Sequence, residues 1–115
     1  MEFILTEQTC EACNSKAPLI SEEKITLLRP QLPEWDILES GGVKQLRRSY
    51  TFKNFRQALA FTMKVGEMAE EQGHHPVLVT EWGKVDVLWW THSIGGLHMN
   101  DFITAARTEE LYGKD

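Results

Sequence analysis

The sequence predicts an α+β fold. It is a two-layer sandwich with one four-stranded antiparallel sheet and three helices on one face, in the order α-β-β-α-β-β-α. Three observations lead there. Two stretches alternate apolar and polar residues on either side of a tight turn, at Ser40-Gly41-Gly42 and at Gly83, so each reads as an antiparallel hairpin. Between them, Asn54 to Gln72 repeats apolar residues at helical spacing, and such a stripe needs an apolar surface to cover. The 115 residues suffice for one core but not for two.

The elements follow in order. Residues 1–20 lack periodicity and are closed by Pro18, which suggests an N-terminal arm that packs loosely or pairs with a partner subunit, ahead of a single domain over 21–115. Ser21 has the character of a helix N-cap, with Glu22 and Glu23 at the positive end of the helix dipole and Ile25, Leu27 and Leu28 as apolar contacts. Pro30 and Pro33 fit a short helix that ends soon after. The first hairpin runs from Trp35 to Phe52, with Leu46, Arg48, Tyr50 and Phe52 on one face, where Arg48 would bury its stem and send its charge to water.

Asn54 and Gln57 resemble a capping box opening the longest helix. Ala58, Phe61, Val65 and Met68 form its stripe, Phe55, Leu59 and Thr62 are expected to widen it, and Gly73 suits a left-handed C-cap. Val77–Trp82 and Lys84–Thr91 make the second hairpin, Gly95 and Gly96 break the pattern, and Asn100 is expected to cap the last helix.

Bulk properties narrow the function. A net charge of −5 and a pI near 5.3 disfavour binding to a phosphate backbone, and Lys44 to Arg48 is too small a basic cluster to reverse that. No apolar run approaches the length of a membrane span, and the apolar start, Met1 to Thr6, lacks the basic region of a signal peptide. The cytoplasm is the expected compartment. Cys10 and Cys13 would supply half of a tetrahedral zinc site, but no second Cys-x-x-Cys follows, and the polar arm is not the usual setting of a redox pair.

The chemistry-bearing residues are His74, His75, His92 and His98. A hairpin returns the chain to its starting level, so His92 comes back beside His74 and His75 at one end of the sheet, and Asp101 opens the last helix near that end. Imidazoles donate and accept protons near neutrality, and a carboxylate can fix their tautomer. Spacing alone leaves acid–base catalysis, structural histidines and a metal site built from three histidines, or from histidines with Glu70, all open. Trp82, Trp89 and Trp90 fit either a flat ligand's pocket or a core. No Walker sequence, dinucleotide fingerprint or Gly-x-Ser-x-Gly occurs.

The order Glu70, three residues, His74-His75-Pro76, five residues, Trp82, nine residues, His92, eight residues, Asp101 resembles the signature of the pterin-4a-carbinolamine dehydratases. The likeness extends from Trp35 to Ala106, including Gly96-Leu97, and is greatest to the bacterial branch associated with phenylalanine hydroxylase, whose members carry a similar cysteine-bearing arm. The resemblance implies a 4a-hydroxytetrahydrobiopterin dehydratase, a hydro-lyase that turns a 4a-hydroxytetrahydropterin into quinonoid dihydropterin plus water. Its role would be to recycle the pterin of aromatic amino-acid hydroxylases. It implies His74, His75 and His92 as the catalytic cluster, and Glu70, Thr91, Asp101 and Trp82 as substrate-binding or supporting residues. It also implies no metal, no cofactor beyond the pterin substrate, a homodimer or homotetramer, and phenylalanine hydroxylase as a candidate partner, with neither nucleic acid nor membrane. Three other readings stay open: a non-catalytic dimerisation module serving a transcription factor, a pterin-related step in molybdenum cofactor metabolism, and a metalloenzyme built on the histidines.

Overall fold

A computed structural model describes residues 4–8, 10 and 19–113. Helix α1, Glu22–Leu28, opens where Ser21 Oγ accepts the Lys24 N–H at 3.2 Å. Strands β1, Asp36–Ser40, and β2, Val43–Thr51, join through Gly41 and Gly42, whose φ values of 58° and 82° suit a tight hairpin turn. Helix α2, Phe55–Gln72, begins with Asn54 Oδ1 accepting from Gln57 N–H at 2.9 Å and ends at Gly73, in left-handed conformation. Strands β3, Val77–Glu81, and β4, Lys84–Trp89, precede helix α3, Met99–Gly113.

The fold is α+β. The strands form one open antiparallel sheet in the order β1-β2-β4-β3, so the two hairpins meet through β2 and β4. That pairing sets Leu46 opposite Trp89 and Tyr50 opposite Val85. These residues and Val87 are buried against Ile25 and Leu28 of α1, Ala58, Phe61 and Val65 of α2, and Phe102, Ile103 and Ala105 of α3 in one apolar cluster. No helix among the described residues is long and apolar enough to cross a membrane.

Three details differ from the sequence expectation. Phe55 and Leu59 do not widen the buried stripe of α2: with Met63 they lie at four-residue intervals on an exposed face, one helical turn apart each time. Arg48 does not send its charge to open water but pairs with Glu109 of α3, while Lys44 pairs with Glu22 and Arg47 with Asp86, so each cation of the basic cluster meets a carboxylate. The described part of the arm packs closely. Leu5 is fully buried with its N–H on Gln31 Oε1 at 3.0 Å, and Gln8 O accepts from Arg107 Nε at 3.1 Å. Cys13 and Pro18 lie outside the described residues.

Glu109 ties α3 to the sheet. Its Oε1 accepts from Tyr50 Oη at 2.7 Å, Trp35 Nε1 at 3.0 Å and the Arg48 guanidinium. Burial, and then the bond to Glu109, push the Tyr50 phenol above its ordinary value. Unfolded, that phenol ionises near pH 10, whereas the folded chain keeps the proton. The stabilisation is therefore fully present below about pH 10 and is lost as pH rises beyond it, by up to about 1.4 kcal/mol per pH unit. Urea unfolding between about pH 9 and about pH 11 should show this decline in the wild type and a shallower one in Tyr50→Phe.

Candidate active site

The end of α2 and the end of β4 build one side of a cavity. Gly73 turns the chain sharply out of α2 and presents His74 and His75, after which Pro76 leads into β3. The hairpin then returns the chain through β4 to Trp90, Thr91 and His92. Thr91 N–H donates to Gly96 O at 2.8 Å, closing a short loop that delivers the chain to α3. An open cavity of about 330 Å³ lies there, lined by His74, His75, Trp90, Thr91, His92 and neighbouring Gly73 and Ser93. That volume is at the lower end of the range for small-molecule sites. A larger hollow of about 510 Å³ between Phe52 and Tyr112, beside the β3–β4 turn, has no histidine or carboxylate in its lining and so no obvious acid–base chemistry.

Asp101 organises the site from behind. It is 0% exposed, and a buried carboxylate is costly unless donors surround it. Oδ1 pairs with His74 Nε2 at 2.6 Å, and Oδ2 accepts from Thr91 Oγ1 at 2.8 Å and from His98 N–H at 2.9 Å. The position in the first turn of α3 adds the favourable field of the helix N-terminus. His98, rather than Asn100, caps that helix. Its Nδ1 accepts the Asn100 N–H at 3.0 Å while Asp101 takes the His98 N–H, a reciprocal arrangement of the capping-box kind. Asn100 falls inside the first turn and is buried.

The three cavity histidines have different supports. His74 is buried, bound to Asp101, and stacked on Trp89 with ring centroids 5.5 Å apart. His75 is exposed and pairs with Glu70 at 2.5 Å, so Glu70 serves His75 and not His74. His92 is exposed and stacks on Trp90 at 4.4 Å with an interplanar angle of 17°.

The structure thus gathers Glu70, His74, His75, Thr91, His92 and Asp101 at one end of the sheet. Trp82 it does not. The β3–β4 pairing of Glu81 with Lys84 forces Trp82 into the turn at the opposite end, a strand length of roughly 17 Å away, and it is 73% exposed. Two residues carry more than sequence reasoning gave them. His98 stands three positions before Asp101, the separation of an N-cap from its reciprocal acid, and that spacing was the available signal. Trp90 follows Trp89 in extended chain, so the two indoles face opposite sides and only one can enter the core. Among the described residues, no three His, Cys, Asp or Glu side chains are grouped to hold a metal ion.

Comparison with known proteins bears on this arrangement. The family model described as "Pterin 4 alpha carbinolamine dehydratase" matches residues 18–111. The chain belongs to the pterin-4-alpha-carbinolamine dehydratase family. Relatives named "Putative pterin-4-alpha-carbinolamine dehydratase" include one from Marinobacter nauticus, 58% identical, with the alignment covering 94% of this chain and 97% of that protein. One from Microcystis aeruginosa is 53% identical over 94% of this chain and 93% of that protein. A crystal structure described as a transcriptional coactivator/pterin dehydratase from Brucella melitensis superposes with a TM-score of 0.72 at 26% identity, over 82% of this chain and 98% of that one. A pterin dehydratase-like protein identified as a RuBisCO assembly factor in the alpha-carboxysome shares the fold, with a TM-score of 0.60 at 22% identity over 71% of this chain and 93% of that one.

The buried carboxylate of this family member generates a graded expectation. Asp101→Ala strands three buried donors and should lower stability by about 3 kcal/mol or more in urea unfolding. His98→Ala removes only the cap and should cost about 1 kcal/mol.

Proposed function

We propose that this protein dehydrates a 4a-hydroxytetrahydropterin to quinonoid dihydropterin and water by histidine general acid–base catalysis. This would return the pterin cofactor of aromatic amino-acid hydroxylases to a reducible form. The observation that carries the reading is the convergence of His74, His75 and His92 on one cavity of a chain in this family.

The reaction asks for little beyond placed proton carriers. The bond between C4a and the hydroxyl oxygen breaks, N5 gives up its proton, and a double bond forms between N5 and C4a. The departing hydroxyl takes a proton and leaves as water. No electron leaves the substrate, and no covalent intermediate with the protein is needed. With Nε2 paired to Asp101, His74 takes up and returns a proton while the buried carboxylate stabilises the imidazolium that forms. His92, which lines the same cavity, handles the complementary transfer. His75, held by Glu70, contacts the ring or the hydroxyl. Thr91 lines the cavity and fixes Asp101 through its hydroxyl. Trp82 has no part in this scheme unless a second subunit brings it to a site.

The working unit in this reading is the domain 21–115 with its arm packed against it, assembled as a dimer or tetramer. The Brucella melitensis protein, described as a transcriptional coactivator as well as a pterin dehydratase, supports a non-catalytic module as the rival. The rival is the weaker reading because a docking module has no need of three imidazoles and a buried carboxylate around an open cavity.

The test follows the disappearance of chemically generated 4a-hydroxytetrahydropterin by stopped-flow absorbance. Wild type should accelerate it over buffer. His74→Ala and His92→Ala should each lose about a hundredfold to ten-thousandfold while remaining folded. Activity should also survive prolonged treatment with a chelator, because only protons move. A folded wild type that gives no acceleration would overturn the dehydratase reading in favour of the docking module.

A further inference from the structure

His92 differs from its two companions in what holds it. His74 has a carboxylate on Nε2 and a buried indole against its face, and His75 has Glu70. Among the described residues, the His92 ring has no hydrogen bond, and its recorded ring contact is the Trp90 indole, nearly parallel at 4.4 Å and 17°. It is exposed, at the start of a short 3-10 turn, His92–Ile94, where a free imidazole would sample several rotamers. Trp90 is itself fixed. It is partly buried, it packs against the core cluster, and it leaves β4 on the side opposite Trp89. One strand end thus carries two tryptophans on opposite faces, each with a histidine stacked on it.

From this we propose that Trp90 is a positioning residue for the dehydration: its indole face holds the His92 imidazole in the plane from which it reaches the cavity. The catalytic part rests on the dehydratase reading above, whereas the stacking itself does not. A flat aromatic surface suits this task because offset stacking fixes a ring's plane while leaving both nitrogens available for protons. A hydrogen bond from a carboxylate would consume one of them. The same face is also compatible with a transiently charged imidazole, which is drawn to an indole by its quadrupole.

The role differs from that of a wall the substrate leans on, and kinetics separate the two. A positioning residue acts on the reacting geometry, so its loss lowers kcat while KM holds. A wall contributes binding in ground and transition states alike, so its loss raises KM.

The experiment compares wild type, Trp90→Leu and Trp90→Phe, with thermal unfolding run on each as a check on folding. NMR of the substrate-free protein reads the stack directly, because imidazole C–H protons above an indole are moved upfield by its ring current. His92→Gln identifies those signals. The expected result is an upfield His92 signal in the wild type that returns toward the free-imidazole position in Trp90→Leu. In stopped-flow turnover, kcat should fall about tenfold to a hundredfold in Trp90→Leu with KM changed less than about threefold, and Trp90→Phe should recover most of it. An undisplaced His92 signal in the wild type would overturn the proposal. So would a rise in KM at constant kcat, or turnover indifferent to the substitution. If Trp90→Leu does not fold, Trp90→Met takes its place in both measurements, with the same expected and overturning results. A wild type with the upfield signal but no dehydration refutes the assigned reaction, and with it the catalytic part of the proposal, while leaving the stack established.

Discussion

The burial of one carboxylate sets the conditions for everything around it. Asp101 lies in the interior at the head of α3, where an ionised group persists only if donors replace water. The donors come from three places: the segment after α2 through His74, the segment after β4 through Thr91, and the residue before α3 through His98. Each must lie within hydrogen-bond reach of the same small group, so satisfying the charge also fixes the relative positions of three chain segments. A helix terminus, a sheet end and a loop are thereby brought into register by an electrostatic requirement, and the apolar core then holds them there. The site is rigid on this side because its rigidity is the condition for burying the charge.

The cavity shows how environment differentiates one residue type. Three imidazoles face a common space, yet one leans on a buried carboxylate, one on an exposed carboxylate, and one on an indole. A buried pair interacts strongly because little water screens it, whereas the exposed pair of His75 and Glu70 is weakened by solvent and salt. The sheet supplies this asymmetry. The strand alternation at Trp89 and Trp90 buries one aromatic fully and leaves its neighbour half-buried on the opposite side, so the two histidines beside them inherit unlike surroundings.

Much of this was legible in the sequence, and the exceptions have identifiable causes. The two hairpins, the long helix and its caps at Asn54 and Gly73 were readable because period, turn chemistry and capping all agree locally. The return of His92 beside His74 followed from hairpin geometry alone. The same geometry should have sent Trp82 to the far turn. Motif order groups Trp82 with the site, whereas distance along a strand sets it apart within one subunit. Apolar character alone places Phe55 and Leu59 in the core, because it does not specify which side of a helix lies against the sheet. The cap at His98 was missed because histidine is not an expected N-cap, although the acid three residues later signalled it. Glu109 could not have been found at all: its three partners come from Trp35, Arg48 and Tyr50, distant in the chain, and only the folded topology brings them to one oxygen.

The arm's attachment bears on how the molecule comes into being. Gln8 is held by Arg107, 99 residues later, and Cys10 N–H by Gln72, 62 residues later. Synthesis runs from the arm toward α3, so Gln8 cannot reach its resting place until Arg107 has been made. Contacts this distant in sequence form slowly because a long loop must close before they yield anything. Leu5, by contrast, is tied by its N–H to Gln31, only 26 residues on, so the arm has one near anchor and two distant ones. The seat of the arm is thus completed only by α3, which packs against the turn Leu5–Glu7.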